Sequence, residues 1–97
     1  MAQSALNDWL PLPAGEWTLF SEINCTFVNP NSFPVEVRGD TSEPEESEHG
    51  IVYYPGQGED ASTDQLGRYA AITATGLWAR PLGNISGNLF VSRASVA

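Results

Sequence analysis

The sequence has little positive charge. Four arginines and no lysine stand against twelve aspartates and glutamates, which gives a formal net charge of −8. Nucleic-acid binding through counterion release needs a basic face, and so does binding to an anionic membrane surface. Four scattered arginines do not supply such a face. We therefore expect no nucleic acid and no membrane among the partners of this chain.

Reactive side chains are equally scarce, since cysteine and histidine occur once each, as Cys25 and His49. A single cysteine cannot form an internal disulfide, so we expect folding in a reducing cytoplasm. A Cys–His nucleophile pair needs an exposed, electropositive cysteine, whereas Cys25 occupies an alternating β position typical of a small buried hydrophobe. No Gly-x-Ser-x-Gly motif is present, and zinc requires three or four converging ligands. The sequence predicts no catalytic residues, no cofactor and no metal.

Long apolar runs are also missing. No run approaches the roughly 20 apolar residues that span a bilayer, and the first residues lack the basic and apolar segments of a signal peptide. We expect neither a membrane span nor an export signal. At 97 residues, 41% of them hydrophobic, the chain is long enough for one domain. Because a domain of this size is marginally stable, we also expect a homo-oligomer.

The acidic residues are concentrated in the middle of the chain, where no lysine or arginine lies between Arg38 and Arg68. This composition predicts a solvated acidic loop at about residues 39–49. Two alternatives stay open for these carboxylates: a Ca²⁺ site, although the EF-hand spacing is absent, and a small hydrolase that uses two of them. The acidic residues of this middle stretch are Asp40, Glu43, Glu45, Glu46, Glu48, Glu59, Asp60 and Asp64.

Short runs of β-branched, aromatic and alternating residues, separated by turn residues, predict the fold class. The runs cover residues 17–20, 24–28, 33–38, 50–54, 72–75, 77–80 and 89–93. This pattern is typical of an all-β fold, a small antiparallel β-sandwich or barrel of six to eight short strands. We assign residues 16–97 to this domain. Residues 1–15, which contain Pro11, Pro13 and Gly15, are predicted to form an extended N-terminal arm.

The alternation in the strands predicts both a core and an interface. Strand 77–80 should direct Leu77 and Ala79 inward and Trp78 and Arg80 outward, although the opposite orientation of Trp78 stays open. An outward Trp beside an Arg is typical of a binding hot spot or a sugar-stacking platform. With Trp9 of the arm, the predicted partner interface is Trp9, Trp78 and Arg80. The predicted core is Trp17, Leu19, Cys25, Phe27, Val35, Val37, Ile51, Tyr53, Ile72, Leu77, Ala79, Leu89 and Val91.

Several short motifs follow one another between Glu16 and Arg93. They are Trp17-Thr18-Leu19, Cys25-Thr26-Phe27-Val28-Asn29, Val35-Glu36-Val37-Arg38, Tyr54-Pro55-Gly56, Leu77-Trp78-Ala79-Arg80 and Asn88-Leu89-Phe90-Val91-Ser92. Their order resembles that of small bacteriophage virion structural proteins of the β-sandwich type. The acidic insertion after Arg38 and the arm around Trp9 depart from the family pattern.

The resemblance implies a non-enzymatic decoration protein, head fibre, or tail or baseplate accessory that is usually multimeric. We therefore expect a chain made in the bacterial host cytoplasm and located in the virion, docked on capsid or tail proteins through protein–protein contacts. Two alternatives remain. One is the receptor- or glycan-binding tip of a phage fibre, in which outward aromatics stack on sugars, and the other is the carboxylate-dependent hydrolase.

Overall fold

The computed structural model describes residues 4–22, 25–61 and 75–95. Within these ranges the chain is all-β and contains no helix, and hence none that could cross a membrane. The strands are β1 (Ser4–Leu12), β2 (Thr18–Ser21), β3 (Cys25–Val28), β4 (Val35–Asp40), β5 (Ile51–Tyr53), β6 (Gly58–Ala61), β7 (Gly76–Pro81) and β8 (Gly87–Ser95).

The strands form two four-stranded antiparallel sheets packed face to face, which confirms the predicted β-sandwich. The first sheet has the strand order β1-β8-β3-β6 and the second sheet has the order β2-β7-β4-β5. Consecutive strands mostly alternate between the two sheets, so the chain winds around the sandwich. This strand order is that of an eight-stranded jelly roll.

The core lies between the two sheets. Phe27 is at its centre and meets the rings of Phe20 and Tyr53 edge to face, with centroids 5.5 and 4.9 Å apart. Alternate residues of the central strands fill the rest, as the sequence pattern predicts. Of the predicted core residues, Cys25, Phe27, Val35, Val37, Tyr53, Leu77, Ala79, Leu89 and Val91 are buried there, and Ile51 packs against them.

Strand β2 departs from the predicted register. Leu19 was expected in the core but is 44% exposed, and Phe20 is buried in its place. Leu19 stands opposite Trp78 in the pairing of β2 with β7, and cross-strand partners share a face, so Leu19 lies with Trp78 on the outer face of the second sheet. The register shift in this pairing comes after Leu19, between Leu19 and Ser21. Trp17 is buried as predicted, but it lies outside the core cluster. Ile72 falls outside the described residues.

Within the segment predicted as an arm, Ser4–Leu12 forms the edge strand β1 of the first sheet. It pairs with β8 from Ser4 opposite Ser95 to Leu12 opposite Gly87. Pro11 is compatible with this position because the outer side of an edge strand needs no hydrogen-bond donor. Leu12 is fully buried in the core. The opposite edge strand of this sheet is β6, whose sequence Gly58-Glu59-Asp60-Ala61 is polar.

Candidate interface surfaces

The two faces of β7 have different roles. Leu77 and Ala79 point into the core, whereas Trp78 and Arg80 lie on the outer face of the second sheet. Both outer residues are nevertheless covered by other parts of the chain, with only 8% and 7% of their surface exposed. Of the three residues predicted to contact a partner, Trp9 alone is openly exposed.

Arg80 is held by interactions in three directions. Its Nε donates to Glu36 Oε1 over 2.9 Å, and Nη1 and Nη2 donate to the backbone carbonyls of Glu46 and Glu48 over 2.9 and 2.7 Å. Its guanidinium carbon lies 4.4 Å from the ring centroid of Trp17. The planar fork of an arginine can satisfy several acceptors at once while stacking on an aromatic ring. Arg80 therefore joins the second sheet to the acidic loop.

The acidic loop, here residues 41–50, is fixed to the outer face of the second sheet through its backbone. Trp17 Nε1 donates to the Glu45 carbonyl over 3.2 Å, and Arg38 Nη1 donates to the His49 carbonyl over 2.7 Å. Glu36 Oε2 accepts the Gly50 N–H over 2.9 Å and lies 3.2 Å from His49 Nδ1. The carboxylates of Glu43, Glu45 and Glu46 remain exposed. The loop thus presents solvated side chains on a backbone with defined contacts.

Asp40 ends β4 beside the start of this loop. Burial disfavours its ionised form, but this effect is outweighed by the Arg38 hydrogen bond and charge and by the backbone N–H groups of Thr41 and Ser42. The Arg38 Nε to Asp40 Oδ2 distance is 3.0 Å and the Thr41 N to Asp40 Oδ1 distance is 2.7 Å. The pKa of Asp40 is therefore held below its ordinary value.

The buried carboxylates of the described residues are bonded to arginines. These residues contain no group of three or more His, Cys, Asp or Glu side chains that could hold a metal ion. Glu36 accepts a hydrogen bond from Arg80, and Asp40 accepts one from Arg38. A general acid in a hydrolase needs a raised pKa, and the shift at Asp40 is in the opposite direction.

Trp9 lies on the outer face of the first sheet with 64% of its surface exposed. Phe90 is its cross-strand partner on β8, and their rings meet edge to face with centroids 5.4 Å apart. Val28 of β3 is the next residue across the sheet from Phe90. Phe90 and Val28 are half-buried, so these three residues form an apolar row, the Trp9 row, whose most exposed member is at the edge strand.

A second surface feature is the cleft between the edge strands β5 and β6, with a volume of about 540 Å³. On one side Tyr53 Oη donates a hydrogen bond to Glu59 Oε1. The loop between the two strands is held by Asn29, which donates its N–H to the Gln57 carbonyl over 2.8 Å and accepts the Gly56 N–H over 2.9 Å. The cleft is lined by Ile51, Val52, Tyr53, Gly56, Gln57, Gly58 and Glu59.

Sequence reasoning missed this cleft because β6, Gly58-Glu59-Asp60-Ala61, carries no apolar alternation. The Pro55-Gly56 turn was the available signal, since a turn dipeptide after one strand favours a second strand close behind it.

Comparison of the chain with protein-family models, with curated proteins and with solved structures finds no match.

Proposed function

We propose that this chain is a non-enzymatic structural protein of a phage virion, a decoration or accessory protein that docks on the capsid or tail through protein–protein contacts. The observation that carries the proposal is the exposed Trp9 at the edge of the first sheet, 64% exposed and packed edge to face on Phe90. Tryptophan is among the residues that most often dominate binding energy when a partner covers them. The Trp9 row is therefore the docking surface.

The charge of the molecule defines the kind of surface it meets. Among the described residues, Arg38 and Arg80 are already bonded to carboxylates within the chain. Their positive charge is thus compensated, and the exposed glutamates of the acidic loop leave a negative surface. Like charges across an interface are unfavourable, so the partner presents a neutral or basic face to this chain.

The fold is compatible with this role. Jelly rolls occur in viral capsid domains and also in lectins and cupins, so the topology by itself does not assign a function. Small domains that coat a larger particle act in many copies, and we propose that the chain assembles as a homo-oligomer on its particle.

The test is incorporation into particles of the phage that encodes the chain. Particles made with the wild-type chain, Trp9→Ala or Leu19→Ala are purified, and copies of the chain per particle are counted by quantitative mass spectrometry. Leu19 is the matched control because it is an exposed apolar residue, 44% exposed, on the other sheet. We expect Trp9→Ala to lower the copy number about tenfold or more, since a hot-spot residue contributes about 2 kcal/mol or more.

Equal incorporation of Trp9→Ala and wild type would refute docking through the Trp9 row. If purified wild-type particles contained no copies of the chain, the virion role would be refuted. A glycan array with the purified chain separates the alternative role. Sugar-dependent binding that Trp9→Ala abolishes, with incorporation unaffected, would replace docking by glycan recognition.

A further inference from the structure

We propose that the cleft between β5 and β6 binds a basic side chain, arginine or lysine, presented by the docking partner. The two strands are the edge strands of opposite sheets, and they border the open side of the sandwich. The inference rests on the proposed docking function for the source of the side chain. The cleft chemistry that supports it is independent of the Trp9 row.

The apolar wall of the cleft suits the stem of a long basic side chain. Ile51 is half-buried and Val52 is exposed, and both line the cleft. Gly56 contributes no side chain, and the space beside its Cα is open, since a Cβ there would meet nothing within 4 Å. Lysine and arginine pack their methylene groups along such apolar surface while their charged heads reach polar groups at its end.

The polar end of the cleft offers acceptors. Glu59 is exposed and, as a carboxylate, accepts hydrogen bonds only. The Tyr53 hydroxyl donates its hydrogen bond to Glu59, so the lone pairs of the Tyr53 oxygen can accept a further hydrogen bond. Two neighbouring acceptors, one of them charged, are complementary to a cationic donor, because charge-assisted hydrogen bonds are the strong ones.

The described part of the chain supplies no cation to this carboxylate. Arg38, Arg80 and His49 all make their ion pairs at the outer face of the second sheet, with Asp40, Glu48 and Glu36. An external arginine or lysine would therefore meet an acceptor pair that has no basic partner among the described residues.

The cleft is held in place before any ligand arrives. Asn29 is fully buried, and its Nδ2 donates to the Tyr53 carbonyl over 2.9 Å while its backbone bonds the loop residues Gly56 and Gln57. These bonds fix the loop that joins β5 to β6. A site that is already ordered loses little conformational freedom when it binds.

The position of the cleft is compatible with one interface that includes Trp9. Strands β1 and β6 are the two edges of the first sheet, separated by β8 and β3. Three strand spacings are roughly 14 Å. A partner that covers the outer face of the first sheet can thus contact Trp9 at one edge and place a basic side chain at the other.

The experiment is a titration of the full chain with Nα-acetyl-arginine methylamide, followed by amide chemical shifts in NMR spectra. We expect saturable shifts centred on Tyr53, Gly58 and Glu59. Glu59→Gln should weaken binding about fivefold, the effect of losing one exposed ion pair. Glu43→Gln, which changes an exposed carboxylate of the acidic loop, is the matched control and should bind the probe as the wild type does.

The neutral citrulline analogue of the probe, added to the wild-type chain, gives the same comparison without relying on a variant that folds. It should produce no saturable shifts in the cleft. Absence of saturation by the arginine probe would overturn the proposal, and so would equal binding by Glu59→Gln or by the citrulline analogue. A neutral disaccharide such as lactose that binds in the cleft while the arginine probe does not would assign the cleft to sugars instead.

The titration contains no particle, so its failure leaves docking through Trp9 untouched. Conversely, if Trp9→Ala particles carry the full copy number, arginine binding in the cleft still stands as measured. The two proposals therefore fail separately.

Discussion

Replacing Arg80 with methionine should lower the free energy of unfolding by about 3–5 kcal/mol, because it leaves a buried carboxylate without its cation. The Glu36 side chain is 2% exposed and the Arg80 side chain is 8% exposed. In the variant, Glu36 would keep only the Gly50 N–H and His49 as partners. A domain of this size has about 5–15 kcal/mol of stability in total, so the loss should be a large fraction of it.

The same substitution should release the acidic loop. Arg80 supplies two of the hydrogen bonds that hold the loop backbone, to the carbonyls of Glu46 and Glu48. A glutamyl endopeptidase should therefore cleave the loop of Arg80→Met faster than that of the wild type under conditions where both are folded. Urea unfolding gives the stability change, and the cleavage rate gives the local effect.

Arg38→Met is the matched control. Its ion pairs with Asp40 and Glu48 are more accessible, with Arg38 18% exposed, and such pairs contribute about 1 kcal/mol or less. The double variant Glu36→Leu with Arg80→Met should recover part of the loss, since it leaves no unpaired buried charge. If Arg80→Met cost no more than Arg38→Met, or if the double variant lost the sum of the single effects, the buried pair would not hold the loop as described.

Three further predictions concern stability. The pKa of Asp40 is lowered on folding, so its stabilising effect is complete above its unfolded-state pKa of 3.8 and is lost as the pH falls through its folded-state pKa. The thermal stability of Asp40→Asn should therefore depend less on pH in this acid range than that of the wild type. An unchanged pH dependence would contradict the lowered pKa of Asp40. Asn29→Ala removes the donors to the Phe33 and Tyr53 carbonyls and should cost about 3 kcal/mol in urea unfolding, whereas a cost under about 1 kcal/mol would refute the role of the buried amide. Gly58→Ala would place a Cβ 1.9 Å from the Phe27 carbonyl oxygen and should lower the free energy of unfolding by about 3 kcal/mol or more. Gly56→Ala is its control: Gly56 has φ +82° and open space around it, so this variant should lose about 1–2 kcal/mol. Equal losses in the two variants would contradict the close approach of Gly58 to Phe27.

The central strands were predictable from the sequence because the opposite sheet buries every second side chain along them. Val35 and Val37 in β4, and Leu77 and Ala79 in β7, follow the period-2 pattern that such strands require. The inward face of β2 was not predictable, because both faces carry apolar residues, with Trp17 and Leu19 on one and Phe20 on the other. Local pattern therefore predicts a strand better than it predicts which of its faces is buried in the core.

The two edge strands of the first sheet were missed for different reasons. In β1, Pro11 together with Pro13 and Gly15 indicated an extended arm instead of a strand, although an edge strand tolerates proline. In β6 the sequence Gly58-Glu59-Asp60-Ala61 is polar, since one side of this strand has no neighbouring strand. Edge strands carry weaker sequence patterns than central strands because less of their surface is buried.

The sequence predicted the side chains of the candidate interface but not their surroundings. Alternation predicts which face of β7 carries Trp78 and Arg80, but it cannot predict what covers that face. The cover consists of contacts between residues far apart in the chain, such as Arg80 with Glu46 and Trp17 with Glu45. Such contacts follow from the tertiary fold. The exposure of Trp9, which remains uncovered, likewise depends on the whole arrangement.

The most direct test of the account is the solvent accessibility of Trp9 on the assembled particle, measured by oxidative footprinting with mass spectrometry. In the free chain Trp9 should be oxidised much faster than Trp17 and Trp78, which are 7% and 8% exposed and serve as internal references. On the particle we predict that oxidation of Trp9 falls about tenfold or more relative to these references. An unchanged rate at Trp9 on particles that carry the chain would contradict docking through this residue.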